Sequence, residues 1–133
     1  MTLSAEQTLA IHRLISLHGH LADIGDFDRF AEVFTDDIVY DMEGLGYGTL
    51  LGRDALREAA ADLGDRNPVG HHVTNIVVTE ADDGEVRVRS KYIGVLRDGR
   101  TGTGVYADRL THTTDGWRIA YRAILPSNEP RRP

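Results

Sequence analysis

Three Asp-Gly pairs, Asp83-Gly84, Asp98-Gly99 and Asp115-Gly116, cut the second half of the chain into four long segments. These are Val69–Thr79, Glu85–Leu96, Thr101–Thr113 and Trp117–Leu125, all with the residues that favour strands. Glycine tolerates the positive φ that a tight hairpin turn demands, so each Asp-Gly reads as a chain reversal. Three reversals in succession predict a four-stranded antiparallel meander.

The first half has a different periodicity. Leu3, Ile11, Leu14, Ile15, Leu21 and Ala22 mark an amphipathic helix ending near Gly25, spaced i, i+3, i+4 from Ile11 onward. His18 falls in the middle of its apolar stripe. Asp26 is the expected N-cap of a second, short helix carrying Phe27, Phe30, Ala31 and Phe34. Asp37–Met42 alternates as a short strand. Gly44-Leu-Gly-Tyr-Gly48 is too rich in glycine for a regular element and reads as a turn or bulged hairpin; no Lys-Ser/Thr follows it, so it lacks the chemistry of a phosphate loop. Arg53–Leu63 is a third helix, stopped by Gly64. Helices segregated from an antiparallel sheet define an α+β domain over residues 1–126, followed by a flexible Pro-rich tail at 127–133. A strongly curved sheet wrapped around the long N-terminal helix would enclose a cone-shaped cavity.

Composition narrows the partners. Fifteen basic against 21 acidic residues give a net charge of −6, which disfavours nucleic acid and anionic lipid. There is no cysteine, so disulfides, thiolate metal sites and a cysteine nucleophile are excluded. The N-terminus has neither a basic start nor a long apolar core, and no stretch approaches the ~20 apolar residues of a membrane span, so a cytoplasmic location is expected. None of the four serines sits in a Gly-x-Ser-x-Gly elbow, which leaves acid–base chemistry by His, Asp and Tyr. On the first long strand His71, Val73 and Asn75 share one face and His72 and Thr74 the other, so His71 and His72 cannot grip one metal ion. Asp108 lies between Tyr106 and Leu110 on one strand face, as a pocket group or as the partner of an arginine such as Arg89 or Arg109.

Ala22-Asp-Ile-Gly-Asp-Phe-Asp28 leading into Phe34-Thr-Asp-Asp37, then Gly70-His-His-Val-Thr-Asn75, Tyr106-Ala-Asp-Arg-Leu110 and Gly116-Trp-Arg-Ile119 arrive in an order that resembles the SnoaL-like proteins of the nuclear transport factor 2-like superfamily. That superfamily includes polyketide cyclases, ketosteroid isomerases, scytalone and bile-acid dehydratases, and members that only bind ligands. The resemblance implies the curved-sheet fold and places specific residues. Asp23 falls where the dehydratases keep an Asp paired with a strand histidine, and His71 falls on that strand, facing inward. Asp41 takes the position of the isomerase base. Asp108 takes that of the isomerases' protonated carboxyl and the cyclases' acid/base. His18 stands where the isomerases carry an oxyanion-holding tyrosine.

The resulting expectation is a cofactor-independent, metal-free acid–base enzyme, with catalytic residues drawn from His71, Asp23, Asp41, Asp108 and His18. Tyr40, Tyr47, Tyr106 and Asn75 are the expected substrate contacts. A dehydratase acting on a small apolar cyclic hydroxy-carbonyl compound of polyketide or steroid type leads. An isomerase or cyclase, or a non-catalytic ligand-binding dimer module, are the alternatives. Val105, Ala107 and Ile124, mixed with arginines, are expected on the sheet face away from the cavity, where a second copy of the chain would pack to form a homodimer.

Overall fold

The computed structural model describes residues 2–127; the expected tail beyond Ser127 lies outside them. Helix α1 spans Ala5–Ile24. Its start is a capping box: the Ser4 hydroxyl accepts from the Gln7 N–H at 3.1 Å and the Gln7 side chain accepts from the Ser4 N–H at 2.9 Å. Its end is equally defined. Gly25 has φ 72°, and the N–H groups of Gly25 and Asp26 donate back to Ala22 and Leu21, closing the helix in a left-handed cap. A single 3-10 helix, Phe27–Glu32, follows in place of the expected α-helix, and Asp26 makes no side-chain cap there.

Strand β1 is Phe34–Asp41, starting three residues earlier than its alternation indicates. A 3-10 turn at Glu43–Leu45 and the strand β2, Thr49–Leu51, form the glycine-rich hairpin. Helix α2 is Arg53–Leu63. The meander follows as β3 Gly70–Glu80, β4 Val86–Val95, β5 Thr101–Thr113 and β6 Gly116–Pro126. The sheet order is β2-β1-β6-β5-β4-β3. All neighbours are antiparallel except β1 and β6, so the sheet is mixed, with one parallel pair beside the meander.

Helix α1 lies across the concave side against β3 and β6. Ile11, Ile15 and Leu21 of the helix join Phe30, Phe34, Ile38, Val88 and Ile119 in one core. Each such side chain contributes ~1.5–3 kcal/mol when fully buried. Two irregularities shift which residues face that core. One extra residue in β3 between Thr74 and Val77 forms a bulge, with Asn75 at φ 53°. One extra residue in β6, Ala120, separates the Leu110–Ile119 and Arg109–Tyr121 pairs. After it, Arg122 and Ile124 face inward and Tyr121 outward. Ile124 is therefore a core residue, 7% exposed, and the expectation that it faces away from the helix is corrected.

Candidate functional site

Asp23 sits in the last turn of α1, which holds no basic residue to balance it. A carboxylate there opposes the helix dipole, at a cost of ~0.3–1 kcal/mol. Its compensation comes from β3. The His71 backbone N–H donates to Asp23 Oδ2 at 3.1 Å, and His71 Nδ1 lies 2.6 Å from Asp23 Oδ1. A carboxylate on Nδ1 holds the imidazole in the Nδ1–H tautomer and leaves the Nε2 lone pair free to accept a proton. Both side chains are partly buried, at 24% and 15% exposure, so the pair is reachable. Gly19 makes this contact possible: a Cβ on it would stand 2.7 Å from the His71 carbonyl oxygen. His72, its neighbour, is exposed on the other face.

Behind the dyad lies a fully buried ion pair. Arg122 Nε and Nη2 donate to the two Asp108 oxygens at 2.7 and 2.9 Å, and neither side chain has any exposure. Burial works against the Arg122 charge, but the Asp108 carboxylate outweighs it and the guanidinium ends above its ordinary value. Burial likewise pushes the Asp108 carboxyl upward, opposed by Arg122. With both oxygens accepting, Asp108 has no proton to donate; the pair is ionic and bidentate. Asp108 thus meets an arginine, but Arg122 rather than Arg89 or Arg109, which are exposed. The third guanidinium nitrogen, Nη1, lies 2.9 Å from Nδ1 of the buried His18. Tyr106 covers the guanidinium at 3.8 Å from its ring centre and stacks on Tyr92 at 4.6 Å. The His18 and His71 rings are 6.2 Å apart, so the two couples form one cluster.

Burial pushes the Tyr106 hydroxyl well above its usual range and raises Tyr40 as well. Both face Arg122 from the concave side. Three expected residues are elsewhere. Asp41 follows the inward Tyr40 and so points to the outer face, where Tyr121 donates to it at 2.7 Å and the Glu43 N–H at 2.9 Å. Those two bonds lower its pKa. Asn75 is taken by the bulge and exposed, and Tyr47 is 68% exposed on the hairpin turn. One surface hollow of about 630 Å³, lined by Phe34, Asp36, Arg53 and Arg118 among others, lies apart from the dyad. Among the described residues no group of three His, Asp or Glu is placed to hold a metal ion. No helix there is long and apolar enough to cross a membrane.

Arg122 was the residue hidden from sequence reasoning. Its signal was the register of β6 with Asp108, which the Ala120 bulge disguises.

The sequence profile of the SnoaL-like domain matches residues 4–123, and the chain belongs to that family. Solved structures agree with its fold. A provisionally named aromatic ring hydroxylase from Novosphingobium aromaticivorans is 28% identical over 95% of this chain and 92% of its own, with a TM-score of 0.80. A variant of Rv3472, a protein of unknown function from Mycobacterium tuberculosis, is 30% identical over 88% of this chain and 69% of its own, with a TM-score of 0.73. A provisionally named scytalone dehydratase, also from N. aromaticivorans, is 20% identical over 96% of this chain and all of its own (100%), with a TM-score of 0.74. No curated protein sequence matches the chain.

Proposed function

We propose that this protein is a cofactor-independent dehydratase acting on a small, mostly apolar cyclic β-hydroxy ketone of polyketide or steroid type. The Asp23–His71 dyad carries the reading. A histidine locked by a carboxylate through Nδ1, with Nε2 unengaged by any described residue, is a general base in the geometry that proton abstraction needs. His71 Nε2 takes the proton next to the carbonyl, and the electron pair moves onto oxygen as an enolate. The enolate then re-forms the carbonyl as the double bond forms and the β C–O bond breaks. The imidazolium returns its proton to the departing oxygen, so water leaves and His71 is regenerated. Asp23 orients the ring and stabilises its charged form. The Arg122–Asp108 ion pair turns its guanidinium end toward His18, so the positive end of a neutral pair lies on the side where the enolate charge develops. Val73, on the same face of β3 as His71, and Tyr92, paired with Val73 from β4, offer apolar and aromatic surface that suits an apolar ring.

The test is a panel of cyclic β-hydroxy ketones monitored for the absorbance of the conjugated enone. Turnover of at least one member, abolished in His71→Asn, supports the reading. Binding of panel members without water loss refutes it and leaves a ligand-binding module.

A further inference from the structure

We propose that Arg122 fixes His18 as the Nε2–H tautomer, which makes His18, rather than a tyrosine, the hydrogen-bond donor to the substrate's carbonyl oxygen. This rests on the reading of His71 as the base. A guanidinium has five N–H donors and no acceptor. Two nitrogens of Arg122 are committed to Asp108, and Nη1 reaches His18 Nδ1 at 2.9 Å. For that contact to be a hydrogen bond, Nδ1 must be the acceptor, so the single proton of a neutral His18 sits on Nε2. An imidazolium would put an N–H against an N–H in a buried place.

The surroundings agree. His18 is 5% exposed and packs edge-on to Phe30 and Phe34 at 5.5 and 5.1 Å. The charged or titratable groups against it are Arg122, His71 and Tyr106, with Asp108 reaching it only through Arg122, and among the described residues no carboxylate is bonded to its ring. Burial first, then Arg122 and His71, hold its pKa well below the ordinary histidine value. Its Nε2–H finds no acceptor among the described residues. The sealed polar side-chain atoms without partners there are Thr35 Oγ1 and Ser90 Oγ, and Nε2 is not among them.

Two imidazoles 6.2 Å apart therefore carry opposite tautomers. His71 accepts at Nε2 because Asp23 takes its Nδ1–H; His18 donates at Nε2 because Arg122 occupies its Nδ1. One substrate fits both: an enolisable carbonyl compound, its acidic C–H toward His71 and its oxygen toward His18. The tyrosines suit that role less well. Tyr106 lies flat over Arg122, and its deep burial makes it a weak acid. A neutral imidazole is a competent electrophile for a forming enolate.

The test is long-range ¹H–¹⁵N correlation on histidine-labelled wild-type protein, which reports the tautomer of each ring without a substrate. His18 is expected as Nε2–H and His71 as Nδ1–H at neutral pH. His18 in the Nδ1–H or doubly protonated form overturns the proposal, whatever reaction the protein performs. The double variant Asp108→Asn/Arg122→Gln removes both buried charges together, and it should leave His18 a mixture of tautomers; if it does not fold, the wild-type spectrum still decides. On the substrate that the panel identifies, His18→Gln, whose amide can accept from Arg122 and donate onward, should retain the rate to within about tenfold. His18→Leu should lose about 10²–10³ in kcat, the usual loss for one oxyanion donor. Equal losses in the two variants would show that His18 is a packing residue only.

Discussion

Replacing Gly19 by alanine tests whether the contact between α1 and β3 exists to set the dyad. In an ordinary helix interior the change stabilises by about 1 kcal/mol, because glycine is the poorer helix former. Here the new Cβ would lie 2.7 Å from the His71 carbonyl oxygen and 3.3 Å from its Cβ. Ordinary contact begins at 3.4 Å, so helix and strand must part by about 0.7 Å. Parting along the Asp23–His71 direction would stretch its 2.6 Å hydrogen bond to about 3.3 Å, at the edge of hydrogen-bond range. Overpacking of this kind costs ~1–3 kcal/mol, so the propensity gain is offset or exceeded. Since a misplacement of ~1 Å in an active site costs ~10²-fold in rate, a loss of tenfold or more is expected. Urea unfolding gives the stability, turnover gives the rate, and the low-field proton of His71 Nδ1–H reports the dyad without substrate. A variant that is about 1 kcal/mol more stable than wild type, with rate and resonance unchanged, would refute the reasoning.

Other outcomes follow from the same structure. Asp23→Asn and His71→Asn should each remove most activity and the double variant little more, because residues acting as a unit are not additive; multiplicative losses in the rate would show separate roles. Ser90 Oγ is buried without a partner among the described residues, so Ser90→Ala should raise the urea midpoint, by about 1 kcal/mol of stability, and a lowered midpoint would mean that the hydroxyl is paired. His18 has a folded pKa below its unfolded value of 6.5, so the unfolded chain binds the extra proton. Its contribution is whole above pH 6.5 and lost as pH falls from there toward the folded pKa, a slope that unfolding at pH 5 and 7 should show and His18→Gln should reduce. Asp41, lowered by Tyr121 and the Glu43 N–H, acts the same way but only below its ordinary value of 3.8, so the two windows are separable. On the outer sheet face Val77 and Ile93 are 60% and 40% exposed beside Val105 and Ala107. We expect a homodimer through that face, and sedimentation of a clean 14.7 kDa species at micromolar concentration would contradict it.

The Asp-Gly turns made the meander legible, because a reversal is a local property of two residues. The long helix was legible from its stripe, and α2 was legible to the residue. What escaped was long-range. Period-two reasoning carries one face along a strand, and a single extra residue reverses it. The bulge at Asn75 removes that residue from the face it was expected to share with His71. The Ala120 bulge turns Ile124 and Arg122 inward, so the buried cation at the centre of the cluster looked like one more surface arginine. The parallel pairing of β1 with β6 has no local signature at all. Asp41 was misplaced for a simpler reason: its neighbour Tyr40 is the inward residue, and alternation sends Asp41 out.

The central claim is that His71, held by Asp23, is the base. The most direct measurement compares kcat/KM of His71→Asn and Asp41→Asn on the cyclic β-hydroxy ketone that wild type turns over fastest. His71→Asn should fall by about 10²–10⁴, the usual contribution of a general base, while Asp41→Asn, on the outer face, stays near wild type. A His71→Asn enzyme that keeps its rate while Asp41→Asn loses it would contradict the account.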